Sequence, residues 1–289
     1  MFEYFLQFLA SALTEGCIYV LIAVGLVVVH RSTEVLFFGQ GSLAMVGGIA
    51  MYVFYGQKHL PLGLSITLAL LICMAAALLA QWAVVLPMLG RGVSAFNVSI
   101  VTIGVSMLYE MAAMIAFGKD SLPVPSFSGD HPLNFLGAAI APQHIWILAA
   151  TALALILIFL FFKKTWAGKA MTGLGDNHLL AKALGFSVGR LFTYAFIVSA
   201  LAGGLAGILS APISYTGYWI GTRMTIKGFV AAAVGGINNP LGALVGGLII
   251  GIFEVFVAGF ISSDLKDLIT MMLLLLVLKL RPQGLLGTK

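Results

Sequence analysis

Long apolar runs alternate with short polar intervals along almost the whole of this 289-residue chain. A run of about 20 apolar residues is long enough to cross the hydrocarbon core of a bilayer as a helix. The pattern therefore predicts an all-α fold, a polytopic transmembrane helical bundle with about eight spanning helices. The predicted spans lie at residues 11–30, 42–57, 62–87, 95–117, 144–162, 191–212, 240–260 and 264–281. Before them, we expect residues 1–10 to form an amphipathic segment at the membrane interface.

The composition agrees with a membrane protein. Hydrophobic residues make up 61% of the chain and charged residues only 9%, whereas about 25% of the residues in a soluble domain are charged. The net charge of +5 is typical of basic cytoplasmic loops and indicates no nucleic-acid partner. Cys17 and Cys73 lie in apolar runs, so we expect no disulfide. The start of the chain lacks a basic region with a cleavage site, so we expect no removable signal peptide.

The longest polar interval is residues 163–190, which carries five Lys or Arg residues against one acid. Such a loop should stay on the cytoplasmic side of the membrane. It also contains the signals of a short helix, since Asp176 or Asn177 can cap its start and Gly185 can end it. The apolar face of that helix would consist of Leu180, Ala183 and Leu184. The segment is either a contact for a cytoplasmic partner or an ordinary basic loop.

Placing this loop inside creates a conflict at the other end of the chain. The tail, residues 279–289, is basic and should also lie inside. Simple alternation through the last two predicted spans puts it outside. Residues 226–260 must therefore contain either a re-entrant element or an extra crossing.

Two stretches interrupt the helical pattern. The first is residues 37–42, which are rich in glycine, and the second is residues 233–242, where Asn238, Asn239 and Pro240 break the run. Their neighbours are related, because residues 44–49 read Ala-Met-Val-Gly-Gly-Ile and residues 232–237 read Ala-Ala-Val-Gly-Gly-Ile. Opposite orientations of these segments would indicate an inverted repeat with broken helices, which in transporters line the substrate path. The alternative is that the two segments resemble each other only because both are rich in glycine.

Few ionisable or hydroxyl groups fall within the predicted spans. Glu15, Glu110 and Glu254 are either functional or simply protonated or paired near helix ends. No two of them share a helical face, which argues against a proton-driven carrier. Thr102 and Ser106 do share a face, so they either line a pore or form interhelical hydrogen bonds, which contribute about 0.6 kcal/mol each.

The sequence contains no motif for chemistry. The histidines are scattered without metal-ligand spacing, and no phosphate-binding Gly-x-x-x-x-Gly-Lys-Ser/Thr motif occurs. No hydrolase motif occurs either. We therefore expect no metal, no cofactor and no enzymatic activity, and any uphill transport would draw its energy from a partner or an ion gradient.

Four stretches together resemble the branched-chain amino acid ABC importer permeases, and the smaller of the two permeases of that system most of all. The resemblance covers essentially the whole chain and is strongest from residue 165 onwards. Its most specific part combines the Ala-Val-Gly-Gly-Ile-Asn-Asn-Pro-Leu-Gly-Ala run with the tail Arg-Pro-Gln-Gly-Leu-Leu-Gly. The four stretches are residues 168–186, 196–207, 227–247 and 281–287.

The resemblance implies a single permease domain over residues 1–289, as a multi-pass protein of the bacterial inner membrane. It implies three partners: a second, homologous permease, cytoplasmic ABC ATPases that hydrolyse ATP, and a periplasmic substrate-binding protein. It also implies that residues 176–185 are a coupling helix that docks on an ATPase. The ATPase-coupling residues would be Asp176, Leu180, Ala183, Leu184 and Gly185. Candidate residues of the translocation pathway are Gln40, Ser42, Thr102, Asn238, Asn239 and Pro240.

The chain departs from the family at the first break. The family usually reads Asn-Phe-Ala-His-Gly there, whereas this chain has Gln40 in place of the histidine. Relatives with similar sequences include importers of urea, short amides and aromatic acids. The expected cargo is therefore branched-chain or other hydrophobic amino acids, with those substrates as the alternative. An ion-coupled secondary transporter acting alone is a further alternative.

Overall fold

A computed structural model describes residues 2–129, 133–135, 138–176 and 187–287. It is almost entirely helical, apart from a small antiparallel hairpin in the segment between the fifth and sixth helices, with strands β1 (Leu133–Phe135) and β2 (Ala138–Ile140). The helices are α1 (Phe2–Thr33), α2 (Gln40–Met51), α3 (Leu62–Ala80), α4 (Leu86–Gly90), α5 (Ala95–Phe117), α6 (Pro142–Lys164), α7 (Trp166–Asp176), α8 (Val188–Ser214), α9 (Ile220–Gly235), α10 (Pro240–Phe260) and α11 (Lys266–Leu280). Two π-helical segments, Tyr52–Gln57 and Gln81–Val85, extend α2 and join α3 to α4.

Among the described residues, six helical stretches are long and apolar enough to cross a membrane: α1, α3 together with α4, α5, α6, α8 and α10. The predicted all-α, polytopic membrane bundle is thereby confirmed. Three shorter helices, α2, α9 and α11, complete the bundle, so the count of about eight spanning helices stays a prediction. Residues 2–10 are the first turns of α1, because no glycine or proline separates them from the apolar run that follows. Their expected place at the membrane interface stays a prediction.

Helices α1 and α8 occupy the centre of the bundle. The side chains of residues 17–29 on α1 are nearly all buried, apart from glycine. Helix α10 packs against α1 through small residues: a Cβ atom added to Gly247 would lie 2.6 Å from Val20 Cγ2, and one added to Gly251 would overlap the backbone of Gly16. Close backbone approach of this kind is how helices associate where lipid removes the hydrophobic driving force. Helices α3, α5 and α6 form the periphery and expose apolar side chains such as Leu79 and Ile115.

Helix α9 lies in the segment to which the conflict over the tail pointed. It lies between α8 and α10 and runs antiparallel to α2, since Thr225 contacts Gly41 and Gly221 lies beside Ser42. It lies in the stretch where the charge argument requires either a re-entrant element or an extra crossing, and the choice between these two stays a prediction. The tail then returns to the end of the bundle that carries His30, because His30 and Gln283 line the same pocket.

The two glycine-rich segments proposed as a repeat lie on helices α2 and α9. These helices run antiparallel, as an inverted repeat requires. The break precedes the segment on α2, whereas it follows the segment on α9. The inverted repeat itself stays a prediction.

Candidate functional site

The first break leaves a stretch of non-helical backbone between α1 and α2, inside the bundle. Two hydroxyls of α5 supply its hydrogen-bond partners. Ser99 Oγ accepts the N–H of Leu36 at 2.8 Å, and Thr102 Oγ1 accepts the N–H of Phe38 at 3.0 Å. Irregular backbone at membrane depth needs such partners, because no water is present in hydrocarbon to replace them.

Helix α9 closes the other side of the first break. Thr225 Oγ1 accepts the N–H of Gly41 at 3.0 Å and lies 3.0 Å from the carbonyl oxygen of Phe38. The hydroxyls of Ser42 and Ser106 lie 2.6 Å apart and form a further hydrogen bond between α2 and α5. The first break is therefore held by hydroxyls from two different helices.

The polar residues of α5 form one buried face. Ser99, Thr102 and Ser106 lie on it together with Glu110, whose Oε1 accepts the hydroxyl of Thr222 at 2.7 Å. Ser106 forms an interhelical hydrogen bond with Ser42, whereas Thr102 bonds the non-helical backbone of the first break. A translocation pathway beside the break would run along this face, so Ser42 and Thr102 stay candidate pathway residues.

Gln40, the first residue of α2, is fully buried. Its Nε2 donates to the carbonyl oxygen of Ser199 on α8 at 3.0 Å, and its Oε1 accepts the hydroxyl of Ser199. The amide fits between two glycines, because a Cβ atom on Gly25 of α1 or on Gly203 of α8 would overlap it. Gln40 therefore joins three helices at the start of the broken one.

We expect Gln40→Leu to slow transport while leaving the protein inserted and assembled. The leucine loses both hydrogen bonds to Ser199, which costs about 1–3 kcal/mol and loosens α2 from α8. Uptake in cells measures transport, and gel filtration of the detergent extract measures assembly. Ser199→Ala is the matched control, because it removes the hydroxyl partner and leaves Gln40 in place, and it should have a smaller effect. Unchanged uptake of every substrate tested would count against a role for Gln40.

The second break joins α9 to α10. Gly236 follows α9 with φ at +117°, a conformation that favours glycine. Asn239 caps α10 by accepting the N–H of Leu241 at 3.0 Å, and its Nδ2 donates to the carbonyl oxygen of Leu286 at 3.1 Å. The break is therefore connected to the tail of the chain.

The tail closes the end of α9. The N–H groups of Leu285 and Leu286 donate to the carbonyl oxygens of Val234 and Gly235, at 2.8 and 2.9 Å. The backbones of Gly236 and Gly284 touch, because a Cβ atom on Gly284 would lie 2.6 Å from the Cα of Gly236. The two most specific motifs of the sequence thus lie against each other in the fold.

The predicted pathway residues fall into two groups. Gln40, Ser42 and Thr102 lie together at the first break, fully buried. Asn238, Asn239 and Pro240 lie at the second break, at the end of the bundle that carries His30. There Asn238 is exposed and lines a pocket of about 290 Å³ together with His30 and Gln283. The structure places the two groups in different neighbourhoods.

An apolar cavity of about 380 Å³ lies next to the first break, between α2, α3 and α5. Met45 and Ile49 of α2 line it, one and two turns after Ser42. Among its lining residues only Tyr109 carries a polar side-chain group, and that hydroxyl donates to the carbonyl oxygen of Ala76 at 2.6 Å. The cavity suits an apolar guest.

Sequence reasoning missed a group of charges built around a buried ion pair. Lys227 Nζ lies 2.7 Å from Glu254 Oε1 and 2.5 Å from Asp267 Oδ1. Glu254 also accepts the hydroxyl of Tyr19 at 3.0 Å, and Lys266 Nζ lies 3.6 Å away from it. Glu254 is therefore paired. The signal that could have revealed this group is Lys227 itself, because it stands in an apolar stretch with no acidic residue nearby in the sequence.

The predicted coupling helix lies largely outside the described residues. Of its residues, only the backbone of Asp176 is described, as the last position of α7. Leu180, Ala183, Leu184 and Gly185 lie outside. Helix α7 leads towards them and is fixed by Gly168, where a Cβ atom would overlap the backbone of Phe161 and Phe162.

Comparison with known proteins gives matches over nearly the full length. Residues 8–278 match the model of a family described as "Branched-chain amino acid transport system / permease component". The chain is 28% identical to the high-affinity branched-chain amino acid transport system permease protein LivH of Escherichia coli K12, over 99% of this chain and 96% of the relative. It is also 28% identical to BraD of Pseudomonas aeruginosa, a permease protein of the same description, over 98% and 96%.

The fold is similar to that of a solved structure. PsaBC from Streptococcus pneumoniae, in complex with a Fab, superimposes with a TM-score of 0.53 over 94% of this chain and 91% of that chain. The two sequences are 14% identical, so the likeness concerns the fold alone.

Proposed function

This chain belongs to the family of branched-chain amino acid transport system permease components, and we propose that it is the transmembrane permease subunit of an ATP-binding cassette importer in a bacterial inner membrane. The observation that supports this most is the family match, which runs from residue 8 to residue 278. The chain is a multi-pass membrane protein without a phosphate-binding loop of its own. ATP hydrolysis therefore belongs to a partner.

The proposed partners follow from this assignment. A second, homologous permease would pair with this chain in the membrane, ABC ATPases would bind it from the cytoplasm, and a periplasmic protein would deliver the substrate. Purification of the tagged chain from its native host in mild detergent tests this set. Recovery in fixed ratio with an ABC ATPase and a second permease is expected. Recovery of the chain alone, under conditions that keep other ABC assemblies of the same host intact, would contradict the proposal.

The proposed substrates are branched-chain or other hydrophobic amino acids. The apolar cavity beside the first break supports this choice, because Met45, Ile49 and Tyr109 present apolar surface to a guest. Urea, short amides and aromatic acids are the alternative, since Gln40 stands where relatives have histidine. Competition for the uptake of labelled leucine separates these cases. Unlabelled leucine, isoleucine or valine should reduce that uptake, whereas urea should not.

The two breaks are the proposed moving parts of the mechanism. Closure of the ATPases would rock α2 and α9, whose short lengths and broken ends allow them to move relative to α1 and α8. The hydroxyls of Thr102 and Thr225 would exchange partners during this movement, because each lies within reach of more than one backbone group. Asn238, Asn239 and Pro240 would pass the movement to the pathway from the second break.

Coupling is tested by Leu184→Asp. On the predicted helix, Leu184 lies on the apolar face, and a carboxylate there would be buried against an ATPase without a partner, at a cost of several kcal/mol. We expect normal insertion, loss of the bound ATPase and loss of transport. His178→Asp adds the same acid to the opposite face of this helix and serves as the matched control. Normal transport by Leu184→Asp would remove the coupling assignment.

A further inference from the structure

One face of helix α9 is exposed on the outside of the bundle. Thr222 and Arg223 lie near its start and are exposed, and so is Ile226, one turn further along the helix. Phe229 continues this face, is partly exposed and packs against Phe38 of the first break, with the ring centres 5.7 Å apart. We call Thr222, Arg223, Ile226 and Phe229 the open strip. It runs from the start of α9 to the first break.

The start of the open strip is polar, which distinguishes it from the exposed surface of the peripheral helices. Thr222 and Arg223 are exposed there, whereas the exposed middle of α5 presents apolar side chains such as Ile103 and Leu108. Charged side chains at membrane depth usually face the inside of a bundle or a water-filled cavity. The open strip therefore suits a wall in contact with water better than a surface in contact with lipid.

A carboxylate of α5 lies at the edge of the open strip. Glu110 stands about 10 Å along the helix from Phe117, the last residue of α5, at a rise of 1.5 Å per residue. It is 8% exposed, and its Oε1 accepts the hydroxyl of the exposed Thr222 at 2.7 Å. Gly221 leaves room for the carboxylate, because a Cβ atom there would lie 2.6 Å from Oε1. Glu110 is thus held against the start of α9.

Glu110 has no cation beside it, unlike the paired acid Glu254. Lys227 lies 2.7 Å from Glu254 and Lys266 lies 3.6 Å from it. Within the described part of the chain, no cation lies at ion-pair distance from Glu110, and the Thr222 hydroxyl is the one hydrogen-bond donor that it has. A carboxylate at membrane depth is costly without a partner of opposite charge. The geometry leaves this partner to be supplied from outside the chain.

We propose that Glu110 binds the ammonium group of the transported amino acid as it passes along the open strip, a role that rests on the proposed importer function. An ammonium group brings three N–H donors, for which the carboxylate of Glu110 and the hydroxyl oxygen of Thr222 are acceptors. Ile226 and Phe229 offer apolar surface to the cargo side chain further along the strip. Glu110 lies outside the apolar cavity that Tyr109 lines, so the strip provides the charged contact which that cavity lacks.

Cysteine labelling in membrane fragments that carry the whole assembly tests whether the strip is in contact with water. A charged methanethiosulfonate reagent reacts with thiols that water reaches, and the mass of this chain reports the reaction. Ile226→Cys should be labelled. Leu108→Cys is the matched control, because Leu108 is exposed on the side of α5 away from Glu110, and it should stay unlabelled in lipid. The native Cys17 and Cys73 are buried and should not react.

Protection of Ile226→Cys from the reagent tests the ammonium contact. Leucine should protect this cysteine at about one tenth of the concentration needed of 4-methylpentanoate, which has the same carbon skeleton without the amino group. Adding Glu110→Gln should raise the half-protecting concentration of leucine about tenfold, so that the two compounds protect alike. Asp264→Asn makes the same change of acid to amide at an exposed residue beyond α10, and it should keep the preference for leucine.

Leucine uptake by the unaltered assembly is measured beside the labelling, so that two kinds of failure are distinguished. If uptake is driven by ATP, three results overturn the role of Glu110 alone: no labelling of Ile226→Cys, equal protection by leucine and 4-methylpentanoate, or unchanged protection by leucine in Glu110→Gln. If uptake needs no ATP, the proposed function fails and this role fails with it. Glutamine keeps an oxygen that accepts the Thr222 hydroxyl, so Glu110→Gln should fold, and co-purification with the ATPase checks this.

Discussion

Replacing Lys227 with methionine is expected to remove most of the folded protein from the membrane. Lys227 and Glu254 are both nearly fully buried, and their charged atoms lie 2.7 Å apart. Loss of the lysine leaves the Glu254 carboxylate with the hydroxyl of Tyr19 and with Lys266 at 3.6 Å. Breaking a buried ion pair on one side costs about 3–5 kcal/mol, because the remaining charge is left without its partner.

The effect is large because this group of charges joins four helices. Lys227 belongs to α9, Glu254 to α10, Asp267 to α11 and Tyr19 to α1. Lys227 lies between Glu254 and Asp267 and contacts both. Removing it leaves these two acids without their shared cation where the helices meet, and the helices lose a common contact.

Gel filtration after heating measures the outcome. The Lys227→Met protein should lose its monodisperse peak at a much lower temperature than the unaltered chain. The double variant Lys227→Met with Glu254→Gln removes both charges and should recover much of the loss. Lys279→Met changes an exposed lysine and is the control. Equal melting of Lys227→Met and Lys279→Met would show that the buried pair does not hold the helices together.

Gly207→Ala is expected to destabilise the protein by about 3 kcal/mol, the upper part of the range for overpacked cores. Gly207 lies where α8 crosses α2, and a Cβ atom there would overlap the carbonyl oxygen of Ala44. Because that oxygen belongs to the backbone of a helix, it cannot rotate away. The two helices must move apart, and the movement strains the nearby bond between Gln40 and Ser199.

Gly104→Ala is the matched control. A Cβ atom on Gly104 of α5 meets nothing within 4 Å, so alanine there gains helix propensity of about 1 kcal/mol without a clash. The two substitutions are chemically identical, and we expect effects of opposite sign. Thermal unfolding followed by gel filtration compares them. Equal melting temperatures for the two variants would mean that α2 and α8 are not in close contact at Gly207.

The long spans could be predicted because a continuous apolar run is itself the signal of a membrane helix. Helix α9 was harder to predict, since Arg223 and Lys227 interrupt its apolar pattern. Its presence followed only indirectly, from the charge of the tail. The helix is acceptable in a membrane because Lys227 finds Glu254 on α10, and a pairing of residues 27 positions apart is not visible in local sequence.

The candidate site was predicted in part. The glycines and the Asn-Asn-Pro sequence mark both breaks, since they interrupt helices by their own backbone preferences. What closes each break was not predictable, because the partners lie far away along the chain. Thr225 bonds Gly41 across 184 positions, and the tail at Leu285 reaches Val234. The resemblance identified both motifs, but only the fold explains why they occur together.

Uptake of labelled leucine into proteoliposomes tests the central claim most directly. The assembly purified from the native host would be reconstituted with ATP enclosed in the vesicles and the substrate-binding protein outside. The proposed function predicts accumulation of leucine that requires enclosed ATP and that is unaffected when proton and sodium gradients are collapsed. Accumulation by this chain alone, driven by an ion gradient without ATP, would contradict it and identify the chain as a secondary transporter.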